Sequence, residues 1–305
     1  MTLLNRRRFI HLASVSAGAL ALPLPALAVE QQELVPAEIC GRWGFLNAKG
    51  AVEIAPRYEA VFGFASGLAA VRLNGEWGYI DGHGKMVLAP QFDEARNFHS
   101  GSSPVRVGKQ WQFIRPDGKD AFPARFDLAR SFQDGRARVQ LGGKWGYITP
   151  DGAMAIQPQY DGANGYNNDL APVRRGDRWG YIDKAGAIAI PFEYPGALSF
   201  NDGLAAVESE KLWGFVDTHG KLQIQPAWEK TGEFSEAMCP VQKDGLWGII
   251  DRSGKVLLQP AFTTMGNFDG NLLTVTQGKQ SMYLDRSYKI VWRAPLQCDT
   301  ISSAT

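Results

Sequence analysis

The chain has 305 residues, and its 32 Lys and Arg stand against 31 Asp and Glu, a formal net charge of +1. Beyond the N-terminus no run of basic residues remains, so nucleic-acid binding by counterion release has no footprint. No stretch past residue 28 is long and apolar enough to span a membrane.

The first residues, MTLLNRRRFIHLASVSAGALALPLPALA, place Arg6, Arg7 and Arg8 before a moderately apolar run that closes on Ala26-Leu27-Ala28. A basic head, an apolar middle and a small-x-small ending predict an export signal over residues 1–28. The order Asn5-Arg6-Arg7-Arg8-Phe9-Ile10 fits a twin-arginine signal, with an arginine-rich Sec signal as the alternative. Three of the 32 basic side chains and no acid lie in that segment, which leaves 29 against 31 and a net charge of −2. The expected location is the periplasm or the extracellular space. Cys40, Cys239 and Cys298 follow, none in a CxxC or metal-ligand spacing. An oxidising compartment permits one disulfide among three possible pairings, and buried unpaired thiols are the other reading.

After a short leader, 29–33, the chain repeats. Trp43, Trp77, Trp111, Trp145, Trp179, Trp213 and Trp247 are each 34 residues apart, and an eighth copy puts Ser281 in the same position. The units are 34–67, 68–101, 102–135, 136–169, 170–203, 204–237, 238–271 and 272–305. A period of 34 also suits paired helices, but each copy carries glycine or proline inside any such helix, at about 1 and 3 kcal/mol each. Apolar residues alternate instead. The second copy divides into LAAVRL, EWGYID, KMVLAP and FDEARNF, with Asn74-Gly75 joining the first two as a hairpin signal. One unit therefore reads as a three- or four-stranded antiparallel meander, and the fold class as all-β.

Glycines that follow the tryptophans (Gly44, Gly78, Gly146, Gly180, Gly214, Gly248) predict close approach of the indole or of a neighbouring strand. Pro56, Pro90, Pro158, Pro226 and Pro260 are expected to end the third run. Aromatic positions such as Tyr58, Phe92, Tyr160, Phe98 and Phe132 are expected to fill the space between units. The tryptophans are expected to wedge neighbouring sheets together, each truncation to alanine costing about 3–5 kcal/mol.

WGYID, then Gly, then P-x-Y/F-D, then F-x-x-G-L-A-x-V resembles the WG-repeat family, also called KWG repeats, of bacterial envelope and surface proteins. The resemblance covers residues 34–305 and implies an all-β repeat scaffold without a catalytic constellation. The third copy departs from it with Trp111-Gln112 and the eighth lacks the tryptophan. Two arrangements suit the pattern: a β-propeller-like ring with LAAV as the narrow inner strand, which is favoured, or an open β-solenoid of stacked hairpins.

No nucleophile elbow, HExxH or phosphate loop is present, so no catalytic, cofactor-binding or metal-ligating residue is assigned. His83 and His219 fall in one turn position and read as solvated. Asp81, Asp183, Asp217, Asp251 and Asp285 precede turns and are expected to bond their own backbone, with an acidic calcium ring as the sharper alternative. Where copies disagree, function is sought. The position after the recurring valine holds Arg72, Arg106 and Arg174, with Arg175 adjacent, a candidate arc for a carboxylate or phosphate. Glu38 and Glu208 flank it, so a balanced polar edge is the alternative. The expected role is a non-catalytic envelope scaffold for a protein, peptide or glycan. A diverged enzyme with its site at one loop face, or a purely structural spacer, are the other possibilities.

Overall fold

The computed structural model describes residues 34–269 and 271–294; the expected export segment 1–28, the leader 29–33 and Cys298 lie outside them. Every regular element among the described residues is a β-strand, and they form eight antiparallel sheets. The second sheet is representative, with strands Ala60–Val61, Leu68–Leu73, Glu76–Asp81 and Met86–Phe92 hydrogen-bonded in that order. The four runs read from the sequence are thus four strands, but they are shared between sheets. FDEARNF contributes Glu94–Ala95, which pairs with Arg106 and Val105 of the next copy. Among the described residues, units 1–4, 6 and 7 lend their last strand to the following sheet, and unit 5 lends the isolated bridge Ala197–Val207.

The sheets form an eight-bladed ring. Tyr79, Phe92, Ala95, Phe98 and Val105 share one apolar cluster across two blades, and equivalent clusters recur around the molecule. The last interval closes in the same way: Leu272 and Tyr283 of blade 8 pack on Val35, Ala37 and Leu46 of blade 1, and the Tyr283 hydroxyl donates to the Pro36 carbonyl. An open solenoid would leave these two ends apart.

Ranked outward from the axis, the short segment donated by the preceding unit is innermost. Ser131 Oγ donates to the Asn97 carbonyl at 2.9 Å, and Ser199 Oγ to that of Gly165 at 3.0 Å, each joining adjacent blades through this strand. The fourth strand lies at the rim, where Val52, Ile188 and Leu222 are exposed. LAAV, expected innermost, is the second strand, because the short strand donated by the preceding unit stands inside it.

The wedge between blades is the residue two past the tryptophan. Phe45, Tyr79, Phe113, Tyr147, Tyr181 and Phe215 are fully buried. Where that residue is tyrosine it also ties blades together: Tyr147 OH donates to the Asn164 carbonyl at 2.7 Å and Tyr181 OH to that of Leu198 at 2.9 Å. Burial pushes both phenols well above their ordinary range. The tryptophans are half-buried against these clusters, except Trp111 at 1% exposure.

Two backbone devices set the local shape. Asn74-Gly75 has φ of 54° and 83°, the doubly positive turn that matches strand twist. A Cβ on Gly146 would stand 2.4 Å from the Ile156 carbonyl oxygen, so the fourth strand approaches where the side chain is missing. The prolines lie inside that fourth strand rather than ending it. Pro158 falls in Met154–Tyr160, within a register shift between the pairs Trp145–Tyr160 and Tyr147–Ile156. A bulged rim strand has no ladder bond there for proline to remove.

Candidate binding faces of the ring

The positions that recur are occupied by packing, so a site is sought where copies differ. Connections of two kinds emerge on one face of the disk: the turn between second and third strands, and the passage from rim strand to the next inner strand. The acid of the P-x-Y/F-D motif belongs to this passage and accepts from the turn beside it. Asp93 Oδ2 takes the Gly108 N–H at 2.6 Å, Asp127 Oδ2 that of Gly142 at 2.7 Å and Asp161 Oδ2 that of Gly176 at 2.8 Å.

Arg72, Arg106 and Arg174 of the arc lie on this face, each engaged within its own blade. Arg72 Nε donates to the Gly75 carbonyl at 3.1 Å and stands 3.8 Å from Glu59. Arg106 pairs with Glu94 at 3.2 Å and reaches the Gly108 carbonyl at 2.6 Å. Arg174 donates to the carbonyls of Gly176 at 2.5 Å and Asp161 at 3.1 Å. Arg175 turns to the opposite side of its strand, its guanidinium over the rings of Tyr160 and Phe192. The arc therefore does not converge: Arg72, Arg106 and Arg174 make separate, blade-local contacts, with carboxylates beside Arg72 and Arg106, and Arg175 packs on the preceding blade.

On the other face, the aspartates before the turns bond their own backbone, as expected. Asp81 Oδ1 accepts from the N–H groups of His83 and Lys85 at 2.9 and 3.0 Å, and Asp217 Oδ1 from those of His219 and Lys221. The Lys221 N–H is the chief reason the Asp217 carboxyl is held below its ordinary range. His83 and His219 are exposed turn residues. Among the described residues no three His, Cys, Asp or Glu side chains converge as a metal site. The turns into the second strand form a ladder between blades: Asp134 accepts from the Asp169 N–H at 3.0 Å and Asp202 from the Ala237 N–H at 2.7 Å. Lys184 fastens it, 2.9 Å from Asp134 and 2.7 Å from Asp169.

The inner wall has the least repetitive chemistry. Phe62, Arg96, Arg130, Asn164, Leu198 and Gly232 hold one position in successive blades. Arg96 is set between the Phe62 and Trp111 rings, 5.8 and 5.3 Å from their centroids, and lies 3.3 Å from Glu94. Arg138 Nη1 donates to the Ala163 carbonyl and to Asn164 Oδ1, both at 2.8 Å, while its Nε is buried without an acceptor. Asn167 donates to Asn201 at 3.0 Å, and Asn201 to Glu233 at 3.3 Å. Burial raises the Glu233 carboxyl, and the charge of Arg138, three blades away, opposes that rise. Sequence reasoning passed over these residues because it placed the inner strand one run too late; the disagreement among copies at this position was the available signal.

Cys40 is disulfide-bonded, so a disulfide does form, whereas Cys239 is a free thiol buried between blades. Burial raises that thiol to about 12. No helix among the described residues is long and apolar enough to cross a membrane.

Eight sheets of three or four strands around a polar wall define an eight-bladed β-propeller built on a 34-residue repeat. The model of the WG containing repeat matches residues 43–77, 77–111, 113–145, 145–179, 179–213, 213–247 and 247–280, and the chain belongs to that family. Among solved structures it is similar to the dihydro-heme d1 dehydrogenase NirN in complex with DHE, at 13% identity and a TM-score of 0.61 over 90% of this chain and 75% of that one. It is also similar to apo AztD from Citrobacter koseri, at 12% identity and a TM-score of 0.54, over 86% of this chain and 93% of that one. A eukaryotic initiation factor matches with 10% identity and a TM-score of 0.55, over 86% and 84% of the two chains. At such identities the likeness is one of fold. No curated protein matches the chain.

Proposed function

We propose that the protein is a non-catalytic binding scaffold of the bacterial cell envelope, exported through its N-terminal signal and presenting one face of the ring to a protein, peptide or glycan. The observation that carries this reading is the division of labour among positions. Residues shared by the copies are engaged in blade packing and turn closure, while the residues that differ gather on the inner wall and at its mouth. Such a division suits a rigid body whose recognition surface is varied without disturbing its core. The export assignment rests on Arg6 to Arg8 and the Ala26-Leu27-Ala28 ending.

The test is affinity capture from a periplasmic extract with the chain lacking residues 1–28. A stoichiometric partner supports the scaffold, and recovery of none from extracts grown under varied conditions argues against it. Replacing Arg72, Arg106 and Arg174 together by glutamine is expected to leave capture intact, because each is engaged within its own blade.

A further inference from the structure

Blades 3 and 4 bring three guanidiniums to one stretch of the inner wall. Arg96 and Arg130 hold the same position in adjacent blades, and Arg130 is backbone-paired with Arg138 across the two inner strands of blade 4. The charge of Arg130 acts unfavourably on both of the others, so Arg130 stands within electrostatic reach of each. Nearby negative charge is scarce. Glu94 is shared between Arg96 and Arg106. Glu233 lies across the ring in blade 7 and is itself resisted by burial. The Arg130 side chain makes no ion pair among the described residues, and its one hydrogen bond is to the Ala129 carbonyl at 3.4 Å.

We propose that the guanidinium cluster of Arg96, Arg130 and Arg138 on the inner wall is a binding site for an oxyanion, the carboxylate or phosphate group of a small ligand. The like charges flanking Arg130 are relieved by an anion bound beside it, and guanidinium forks match both oxyacids through paired N–H donors. The positions are prepared beforehand. Arg96 is clamped between two aromatic rings, and Arg138 is anchored at one nitrogen with its buried Nε left without an acceptor. Arg130, half-buried and without an acidic partner, is the group free to close on the ligand. The half-buried Phe62 ring beside Arg96 offers an apolar surface for a ligand body attached to the anion. This inference rests on reading the ring as a binding scaffold and names one chemistry it recognises.

Calorimetric titration of the whole exported chain with inorganic phosphate and, separately, with benzoate tests it. Binding of either at low salt, weakened as salt is raised, is expected. Phosphate alone points to free phosphate or a phosphoester; benzoate alone points to an organic acid. Arg130→Gln, a substitution of a half-buried side chain, is expected to weaken the bound anion at least about tenfold. Arg96→Lys, which keeps the charge and loses the stacked plane, should give a smaller loss, and Lys255→Gln on an exposed turn none. Failure of both anions to bind, or equal binding by Arg130→Gln, overturns the site. If the captured envelope partner is nevertheless retained, the scaffold stands and only this site falls; anion binding with no partner captured does the reverse.

Discussion

Blades 3 and 4 are neighbours built on the same frame, yet only blade 4 has a regular rim strand. In blade 4 Gly146 leaves room for Met154–Tyr160 to cross, and Pro158 occupies the bulge. Blade 3 has Gln112 and Ala124 at those two positions, and the chain after Gln110–Ile114 keeps only the isolated bridges Trp111–Phe126 and Ile114–Asp120. The space is filled otherwise. Phe122 packs on Phe113 at 5.2 Å between ring centroids, and Trp111 becomes fully buried where Trp145 stays half-buried. A blade thus tolerates loss of its regular rim strand when aromatic residues of the same segment, here Phe122 and Phe126, still fill the space against the next blade.

The largest effect is expected from forcing blade 4 toward blade 3. Gly146→Val, whose side chain would meet backbone 2.4 Å away, should destabilise by about 3 kcal/mol or more. The reverse change, Gln112→Gly, should alter stability by no more than about 1 kcal/mol, since no strand crosses there. Urea midpoints of the two variants check the contrast, and equal losses would break it.

Next comes the indole itself. Trp111→Ala should cost about 3–5 kcal/mol by leaving a cavity. Trp145→Ala should cost about 1–2 kcal/mol, because part of that side chain already meets water. Similar values for the two would mean that exposure does not rank these positions.

Blade 7 sharpens the comparison with a titrating group, for Cys239 holds the position of Ala137 in blade 4. Its thiol is raised from 9.0 to about 12, chiefly by burial, so the folded state disfavours the thiolate. That preference contributes in full below about pH 9 and is lost as pH rises toward 12. Stability should fall over that window less steeply in Cys239→Ala than in the parent, measured by denaturation at stepped pH. In the native protein the thiol should resist alkylation at pH 8 until the chain unfolds.

The smallest effect concerns turns. Gly142-Gly143 of blade 4 and Glu210-Lys211 of blade 6 adopt the same doubly positive φ, 57° and 77° against 50° and 68°. Lys211→Gly should therefore stabilise by about 1 kcal/mol, read as a raised melting temperature. The same change made on the strand next to it should destabilise.

Much of this was legible in the residues. The Asn74-Gly75 hairpin, the aspartate turns and the close approach at Gly146 follow from local stereochemistry repeated eight times. The candidate site was not. LAAV looked like an inner strand because it is small and apolar, and the arginine arc was placed on its hairpin end for that reason. The residues that do line the wall, Arg96, Arg130 and Arg138, come from two different runs and share no motif.

Taken alone, the sequence determined the period, the strand content of each unit and the turns that join them, since these depend on hydrogen bonds and side-chain volumes within a few dozen residues. Only the tertiary structure decided that the last run of a unit joins the next blade, that blade 8 meets blade 1, and that Arg130 stands beside both Arg96 and Arg138. Those outcomes depend on closing a ring, where residues separated by multiples of the repeat, or by the whole chain, must satisfy one another at once.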